Sequence, residues 1–253
     1  MRVPEFLYSL YERRLNRQVV GKNLPAHVGI ILDGNRRWAK SLGVATASGH
    51  RKGADHVSEV LGWCDESGIE IVTLWMLSTD NLSRAKGELS DLLDIIARLV
   101  ETLSQTGRWR LLPIGDLDLL PKTISQRIQE ACARSADCAG MKVNVAIGYG
   151  GRQEITRAVQ SYLREQAEHG ANLAEVADRI SMEEITNHMY TRGQPDPDLI
   201  IRTSGEQRMS GFLLWQTVHT EFYFCETYWP DFRRTDFLRA LRDYSLRDRR
   251  LGK

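Results

Sequence analysis

The sequence lacks the features of membrane-spanning and secreted proteins. No apolar run reaches the roughly 20 residues that a helix needs to cross a bilayer. The N-terminal stretch MRVPEFLYSLYERRLNRQ is too charged throughout for a signal peptide. The 4 cysteines form no C-x-x-C pair and no His/Cys cluster with zinc spacing, which indicates reduced packing residues. We therefore expect a cytoplasmic protein without a transmembrane segment, and peripheral contact with a membrane stays open.

The chain also lacks an excess of charge of either sign. It has 34 Lys and Arg residues against 33 Asp and Glu residues, a formal net charge of +1 over 253 residues, so we expect no nucleic acid as a partner. Neither G-x-x-x-x-G-K-[ST] nor G-x-G-x-x-G follows an apolar run, which argues against a nucleotide-binding module. Any recognition of phosphate must therefore come from arginines at particular positions.

Short apolar runs alternate with amphipathic stretches along the chain. The run 27–32 ends at Asp33 and is typical of a buried strand. The other runs that we interpret as strands are 69–77, 111–114, 143–149, 199–202, and 212–215 or beyond. This alternation predicts an α/β fold, a single domain with a mostly parallel central sheet flanked by helices. An N-terminal helix is expected within residues 1–24, and the main unit over residues 25–253.

Arginines follow four of the predicted strands. Ligands of parallel α/β sheets bind beyond the carboxyl ends of the strands, so side chains from these segments can meet in one place. The segments are Asp33-Gly34-Asn35-Arg36-Arg37-Trp38-Ala39, Ser78-Thr79-Asp80-Asn81-Leu82-Ser83-Arg84, Gly148-Tyr149-Gly150-Gly151-Arg152 and Arg202-Thr203-Ser204-Gly205-Glu206-Gln207-Arg208-Met209-Ser210. Taken singly, each is also typical of a turn or of a solvated surface. Their convergence on one sheet edge predicts an anion-binding site.

The chemistry of these segments favours a diphosphate ligand. Gly34 lets the backbone approach an oxyanion, and a helix that begins near Asn35 would direct free N–H groups at it. The side chains that can form bidentate, charge-assisted hydrogen bonds with phosphate oxygens are those of Arg37, Arg84, Arg202 and Arg208. Asp33 is an acid in this basic cleft, which favours a role as a ligand of Mg²⁺ beside the substrate phosphates.

In their order along the chain, these motifs resemble those of the cis-prenyltransferases, which include undecaprenyl diphosphate synthases and short-chain Z-farnesyl diphosphate synthases. The resemblance begins at about His27 and runs to the C-terminus. The motifs that carry it are Asp33-Gly-Asn-x-Arg37-Trp38-Ala39, Gly49-His50-x-x-Gly53, Ser78-x-x-Asn81-x-x-Arg84, Tyr149-Gly-Gly-Arg152, Asp198-Leu-x-Ile-Arg202-Thr-x-Gly-Glu206-x-Arg208-x-Ser210, Phe212-Leu-Leu-Trp215-Gln216, Glu221-x-Tyr-Phe224, Trp229-Pro230 and Arg250-Leu-Gly252. The Asp-Asp-x-x-Asp motif of the all-helical trans-prenyltransferases is absent.

The resemblance implies a Mg²⁺-dependent prenyltransferase with its catalytic domain over residues 25–253. Such an enzyme condenses isopentenyl diphosphate with a short allylic diphosphate (dimethylallyl, geranyl or farnesyl) and forms a short-chain Z-prenyl diphosphate. The resemblance also implies a symmetric homodimer, formed through the region 212–224 and the Trp229-Pro230 pair. The tail Arg250-Leu-Gly252 is expected to reach a neighbouring active site.

The resemblance further implies roles for single residues. Asp33 and Glu221 would hold Mg²⁺, and Asp33 and Asn81 would be the catalytic residues. An amide is a poor base, so Asn81 is expected to orient a diphosphate oxygen that accepts the C2 proton of isopentenyl diphosphate. The residues expected to bind the two substrates are Gly34, Asn35, Arg36, Arg37, Trp38, His50, Ser78, Thr79, Asp80, Leu82, Arg84, Arg202, Arg208, Met209 and Ser210. A helix cap is the alternative for His50, and a core position is the alternative for Trp38.

Some positions depart from the family pattern and bear on the allylic substrate. They are Thr46 in place of a phosphate-binding Arg, Leu82 in place of Trp or Phe, Ala85 in place of Pro and His219 in place of Tyr. These departures keep open a branching relative that forms irregular, lavandulyl-type products. A non-catalytic partner subunit is a second alternative, but such subunits tend to lose the active-site acid and arginines that this chain keeps. Glu206 and Arg152 are expected to be structural.

Met76 is expected to limit the length of the product. The alternation of side chains along a strand places Leu74 and Met76 on one face. Trp75 and Leu77 then take the other face. By resemblance, Met76 lines the tunnel of the growing chain, at a position that is small in long-chain enzymes, which predicts a product of about fifteen carbons or fewer. The alternative is that Met76 faces a helix as an ordinary core residue.

Overall fold

Six parallel strands form one sheet in the computed structural model, which describes residues 5–247. The strands are β1 (His27–Ile31), β2 (Ile71–Ser78), β3 (Arg110–Ile114), β4 (Lys142–Tyr149), β5 (Leu199–Arg202) and β6 (Glu221–Phe224). Their order in the sheet is β3-β4-β2-β1-β5-β6, and all the pairings are parallel. Because β1 lies between β2 and β5, the segments that follow these three strands leave the sheet side by side.

Helices and short turns connect the strands. The helices are α1 (Glu5–Val19), α2 (Asn35–Ser41), α3 (Thr46–Glu66), α4 (Lys86–Gln105), α5 (Lys122–Arg134), α6 (Gly151–Glu168), α7 (Leu173–Arg179), α8 (Met182–Asn187) and α9 (Arg234–Ser245). Single 3₁₀ turns lie at Asp80–Ser83, Leu117–Leu119 and Trp229–Asp231. None of the helices within residues 5–247 is long and apolar enough to cross a membrane.

The strands are buried because apolar side chains cover both faces of the sheet. All five residues of β1 are buried, as expected for the centre of a parallel sheet. Buried side chains of α3, α4, α5 and α9 pack on one face and form the main core. A smaller core on the other face includes Tyr149, Ile200 and Phe212. The predicted α/β fold with a mostly parallel sheet is therefore confirmed.

The predicted N-terminal helix is present as α1, and it packs against α9. The guanidinium of Arg233 lies 4.9 Å from the ring centre of Tyr8, and that of Arg239 lies 5.1 Å from the ring centre of Tyr11. These cation–π contacts tie one end of the described chain to the other. The division into residues 1–24 and 25–253 stays a prediction.

The predicted strand over 212–215 is wrong, because this stretch forms turns. Ser210, Gly211 and Leu213 have positive φ angles of 52°, 85° and 46°, a conformation that no extended strand contains. Phe212 and Leu213 are nevertheless buried. The apolar run therefore reflects side chains that fill the smaller core rather than a strand.

The strict alternation predicted for β2 is also wrong at its carboxyl end. A β-bulge separates Trp75, which pairs with Ala146, from Leu77, which pairs with Ile147. The extra residue turns Leu77 to the main core, where Leu74 and Met76 also pack. Trp75 packs on the smaller core and stacks on Phe212 with ring centres 5.1 Å apart. Trp75 and Leu77 thus do not share a face.

Two glycines of α3 allow it to approach α2 closely. A Cβ atom added at Gly49 would lie 2.3 Å from the backbone oxygen of Asn35, and one added at Gly53 would lie 2.1 Å from the Asn35 side-chain oxygen Oδ1. Such distances are far below ordinary van der Waals contact, so a side chain at either position would push the helices apart. Because α2 follows β1, this packing fixes the segment that carries Asp33 and Arg37.

We expect Gly49→Ala and Gly53→Ala to destabilise the protein by about 1–3 kcal/mol, since each adds a methyl group where none fits. Gly62→Ala in the same helix is the matched control, because nothing lies within 4 Å of its added Cβ. This control should stabilise the protein by about 0.5–1 kcal/mol, since glycine weakens a helix interior. Urea denaturation of the three variants measures these changes. Equal stabilities for all three would contradict the close packing.

Candidate active site

A cavity of about 890 Å³ opens beyond the carboxyl ends of β1, β2 and β5. Its mouth is polar and includes Asp33, Gly34, Asn35, Arg36, Arg37, His50, Ser78, Asp80, Asn81, Arg84, Arg202 and Ser210. Its interior is apolar and includes Ala54, Val57, Met76, Leu92, Ile95, Ile96 and Leu99. Three of the four predicted segments therefore converge on one cavity. Arg152, in the remaining segment, is exposed and does not line it.

The turn after β1 brings its backbone against the segments beyond β5 and β6. Gly34 has a φ of 107° and caps the amino end of α2, which begins at Asn35 as predicted. A Cβ atom at Gly34 would lie 2.8 Å from Cδ1 of Tyr228, so glycine is required there by both conformation and space. The Asp33 N–H donates to Oγ1 of Thr203 at 3.0 Å, which joins the ends of β1 and β5.

The Asp33 carboxylate lies between two arginines. Arg202 donates from Nη2 to Oδ2 at 2.9 Å, and Arg37 donates from Nη2 to Oδ1 at 3.3 Å. Burial alone would raise the pKa of the Asp33 carboxyl. The hydrogen bond and charge of Arg202 and the charge of Arg37 outweigh it and lower the pKa below its ordinary value. Asp33 is therefore ionised at neutral pH, and its side chain is still 29% exposed.

The Arg202 side chain is only 5% exposed and forms several further hydrogen bonds. Its Nη1 donates to Oγ of Ser210 at 3.0 Å and to the backbone oxygen of Arg208. Its Nε is buried and has no hydrogen-bond partner. A buried donor without a partner, on a side chain that lines the cavity, indicates a place for an anionic ligand. The turn of positive-φ residues after Ser210 brings this hydroxyl back towards Arg202.

Glu206 joins two more arginines beside this pair. Its Oε1 accepts from Nη1 of Arg37 at 3.0 Å, and its Oε2 accepts from Arg208. Arg37 also donates to Oγ of Ser204 at 2.6 Å. The Arg208 side chain is 63% exposed and does not line the cavity. The structural role expected for Glu206 fits these contacts, and Ser204 was not predicted.

A second group of charges lies on the other side of the mouth. Oε1 of Glu88 lies 3.4 Å from Nη1 of Arg84, 3.5 Å from Nε of Arg36 and 3.9 Å from Nε2 of His50. Arg84 also donates from Nη2 to Oδ1 of Asn81 at 3.0 Å. Glu88 was not predicted. Its spacing of four residues from Arg84, in the first turn of α4, is the signal that could have found it.

His50 is neutral at physiological pH. Burial, assisted by the charges of Arg84 and Arg36, lowers the pKa of His50 to about 4, although Glu88 opposes the shift. Its Nε2 is buried and has no hydrogen-bond partner. A neutral imidazole can donate one hydrogen bond to a phosphate oxygen without a charge of its own. His50 lies within α3 and caps no helix end.

Other predicted site residues lie outside the cavity. Thr79, Leu82, Trp38 and Met209 do not line it. The Thr79 N–H donates to the backbone oxygen of Tyr149, and Leu82 packs on the main core. Trp38 is half-buried and belongs to neither core cluster. Residues next to them in the sequence line the mouth, whereas these four do not.

Glu221 is not brought to Asp33 within one chain. It is the first residue of β6 and pairs with Leu199, at the amino end of β5. Asp33 follows the carboxyl end of β1, so the two carboxylates lie at opposite ends of the parallel strands. Glu221 forms an ion pair with Arg247. Within residues 5–247, no group of three His, Cys, Asp or Glu side chains could hold a metal ion.

We expect the His50 imidazole to titrate with a midpoint near pH 4, and an NMR titration of its ring resonances measures this. Because the folded pKa lies below the ordinary value, the unfolded chain gains the proton first as the pH falls. Folding stability should therefore decrease between about pH 6.5 and pH 4. His50→Gln identifies the resonance and should flatten this pH dependence. A midpoint near the ordinary value of about 6.5 would contradict the burial of His50.

Comparisons with known proteins agree with this geometry. The family described as "Putative undecaprenyl diphosphate synthase" matches residues 31–252. The chain is 56% identical over 253 residues to a "(2Z,6E)-farnesyl diphosphate synthase" of Thermobifida fusca, covering 100% of this chain and 98% of that one. It is 53% identical over 246 residues to "Isoprenyl transferase 1" of Streptomyces avermitilis, covering 97% of this chain and 96% of that one.

A solved structure supports the same relationship. The crystal structure of lavandulyl diphosphate synthase from Lavandula x intermedia, in complex with dimethylallyl diphosphate, matches with a TM-score of 0.84 and 36% sequence identity. The match covers 91% of this chain and 99% of the lavandulyl diphosphate synthase chain. Fold and sequence thus agree along nearly the whole chain, and the chain belongs to the undecaprenyl diphosphate synthase family of prenyltransferases.

Proposed function

We propose that this chain is a cis-prenyltransferase that condenses isopentenyl diphosphate with a short allylic diphosphate and forms a short-chain Z-prenyl diphosphate. One observation carries the proposal: a single cavity joins two groups of arginines at its mouth to an apolar interior. Two diphosphates can bind at the mouth while a hydrocarbon chain extends inward. The similarity to a (2Z,6E)-farnesyl diphosphate synthase supports a short product.

The two charge groups suit the two substrates. His50 lies one turn before the lining residue Ala54 on α3, and Arg84 closely precedes α4, which carries Leu92. We therefore assign the allylic diphosphate to His50, Arg84 and the neighbouring Arg36. Arg202 and Ser210, with the free Nε of Arg202, are assigned to isopentenyl diphosphate. Cations that already point at the two diphosphates stabilise negative charge on the leaving group without rearrangement during the reaction.

The reaction balances with the groups at the mouth. The allylic C–O bond breaks, and diphosphate leaves with the electron pair. A carbon–carbon bond forms to the isopentenyl double bond, and a proton then leaves its C2 carbon to give the new double bond. The departing diphosphate accepts this proton, and Asn81, fixed by Arg84, orients the accepting oxygen. The apolar interior keeps water from the allylic cation.

Asp33 fits a ligand of Mg²⁺. Its ionised carboxylate lines the cavity mouth, and Mg²⁺ takes one or two carboxylates together with substrate phosphates. When bound, Mg²⁺ supplies positive charge that stabilises the departing diphosphate. Glu221 lies at the amino ends of the strands, away from Asp33. It can therefore join such a site only from a second copy of the chain.

A symmetric homodimer is consistent with the edge of the sheet at β6. Within residues 5–247 this strand pairs only with β5, so its other side is an edge of the sheet, where Arg247 donates to the backbone oxygen of Phe222. Phe224 on the strand is exposed, as are Leu214 and Val218 in the preceding turns. We propose that a second copy covers this apolar edge. The predicted role of the tail Arg250-Leu-Gly252 lies outside the described residues.

The expected cytoplasmic location is kept as part of the proposal. All four cysteines are free, and Cys64, Cys132 and Cys225 are buried. Burial raises the pKa of the Cys132 thiol to about 12, so this residue is an inert packing group. Free, buried thiols are typical of proteins in a reducing compartment.

A product assay tests the proposed function. Purified protein is incubated with labelled isopentenyl diphosphate, Mg²⁺ and dimethylallyl, geranyl or farnesyl diphosphate, and the products are resolved by length and isomer. We expect linear Z products extended by few units. Branched products would instead favour a lavandulyl-type enzyme. The structural neighbour at 36% sequence identity is a lavandulyl diphosphate synthase. No product with any starter would contradict the proposal.

We expect Asp33→Ala to lower kcat by about 10³ or more, since metal-assisted ionisation provides several kcal/mol. EDTA should abolish wild-type activity in parallel. Asp118→Ala is the matched control, because the Asp118 side chain is 90% exposed and lies outside the cavity. Steady-state kinetics with Mg²⁺ measures the effect. An Asp33 variant with wild-type kcat would contradict the metal assignment.

We expect Met76→Ala to lengthen the product by one or more isoprene units, because Met76 lines the apolar interior and its removal opens space along the path of the chain. The control is Met141→Ala, which removes a buried Met of the main core outside the cavity. Product lengths are compared with excess isopentenyl diphosphate. If both variants give the wild-type distribution while remaining folded and active, Met76 does not limit the chain.

A further inference from the structure

The Glu88 carboxylate occupies the centre of the charge group assigned to the allylic diphosphate. One oxygen, Oε1, faces Arg84, Arg36 and His50 at 3.4, 3.5 and 3.9 Å. The side chain of Glu88 is 24% exposed, and it belongs to the first turn of α4. A single anionic oxygen thus stands where three donors converge. This is the position that a phosphate oxygen needs.

None of the three contacts is a strong hydrogen bond. Good N–H···O bonds have donor–acceptor distances of about 2.7–3.2 Å, and every distance here is longer. The attraction is therefore mainly between charges, which is weak and readily exchanged at a partly exposed site. By contrast, Asp33 is bound by Arg202 at 2.9 Å. Glu88 is thus the more easily displaced of the two carboxylates.

His50 shows that the group is incomplete with Glu88 alone. Its side chain lines the cavity and is 8% exposed, and Nε2 is buried with no hydrogen-bond partner. A buried polar atom without a partner costs free energy that a ligand can recover. Glu88 lies too far away to satisfy it, whereas a diphosphate offers several acceptor oxygens.

We propose that Glu88 is an internal counter-anion. It pairs with Arg36 and Arg84 and neutralises part of their charge while the site is empty, and the allylic diphosphate displaces it. The inference rests on the proposed function, which places that diphosphate here. In this scheme Glu88 competes with the allylic diphosphate for the two arginines and touches no reacting atom.

The location of Glu88 also links the two ends of the allylic substrate. Leu92, Ile95, Ile96 and Leu99 follow it on α4 and line the apolar interior. When the diphosphate displaces Glu88, the first turn of α4 loses its tie to Arg36 and Arg84. Binding of the charged head is then coupled to the helix that contacts the hydrocarbon tail.

The test is Glu88→Gln, which keeps the shape of the side chain and removes its charge. The probe is dimethylallyl thiolodiphosphate, an unreactive analogue, titrated by calorimetry in the presence of Mg²⁺. Since the competitor is gone, affinity should rise about three- to tenfold, and the difference should shrink at high salt. In turnover, the KM of the allylic substrate should fall by a similar factor while that of isopentenyl diphosphate stays unchanged.

Asp91→Asn is the matched control, because it removes one charge from the exposed side of the same helix, outside the main cavity. Glu88→Asp, which withdraws the carboxylate, should give an intermediate affinity and serves if Glu88→Gln does not fold. Unchanged or weaker binding by the Glu88 variants, with wild-type protein binding the probe, would overturn the inference alone. Wild-type protein that neither binds the probe nor forms product would overturn the proposed function with it.

Discussion

The ion pair between Asp33 and Arg202 is the interaction on which the rest of the site depends. Arg202 ends β5 and is almost fully buried, with its Nη2 2.9 Å from the carboxylate that follows β1. A buried guanidinium needs an opposite charge, since an unpaired one costs several kcal/mol. The pair therefore joins two neighbouring strand ends. It also orients the Arg202 guanidinium, whose Nη1 donates to Oγ of Ser210 and to the backbone oxygen of Arg208.

The same pattern recurs across the cavity mouth, where each group of arginines has a carboxylate of its own. Asp33 forms ion pairs with Arg202 and Arg37. Glu206 pairs with Arg37 and Arg208, and Glu88 pairs with Arg36 and Arg84. These pairs hold several like charges close together before any substrate arrives. Preorganised cations bind and stabilise anionic groups without a further ordering cost. In the proposed scheme, the allylic diphosphate takes the place of Glu88 in this arrangement.

Close backbone packing supports this arrangement from below. Gly34 adopts a positive φ that brings the turn after β1 against Tyr228. Gly49 and Gly53 let α3 lie on Asn35, and the Trp229 ring donates from Nε1 to the backbone oxygen of Gly53 at 2.8 Å. This close packing restricts the backbone segments that carry the arginines. The arginine side chains therefore stay within hydrogen-bond distance of their partners.

The sheet, its parallel sense and the convergence of Asp33, Arg84 and Arg202 could be predicted from the sequence. Each of these depends on a local pattern: an apolar run of strand length, followed by polar residues at its end. Side-chain directions within the segments could not be predicted, because they depend on tertiary packing. The bulge near Met76 and the turns around Leu213 changed the faces that the alternation implied.

The relative positions of residues that are distant in the sequence could not be predicted either. Glu221 belongs to a family motif, yet its place at the amino end of β6 depends on strand order and register. Glu88 was missed because a Glu in the first turn of a helix is common and its partner His50 is distant in sequence. Conversely, Met76 lines the cavity as the motif comparison implied, while its effect on chain length stays a prediction.

We propose that Asp33 binds Mg²⁺ together with a substrate diphosphate at the cavity mouth, so that metal and substrate bind together. Calorimetric titration of Mg²⁺ tests this claim, with protein alone and with protein saturated by dimethylallyl thiolodiphosphate, after subtraction of the heat of Mg²⁺ binding to the free analogue. We expect Mg²⁺ to bind far more tightly when the analogue is present, and Asp33→Asn to remove the difference. Equal Mg²⁺ affinity with and without the analogue would contradict it.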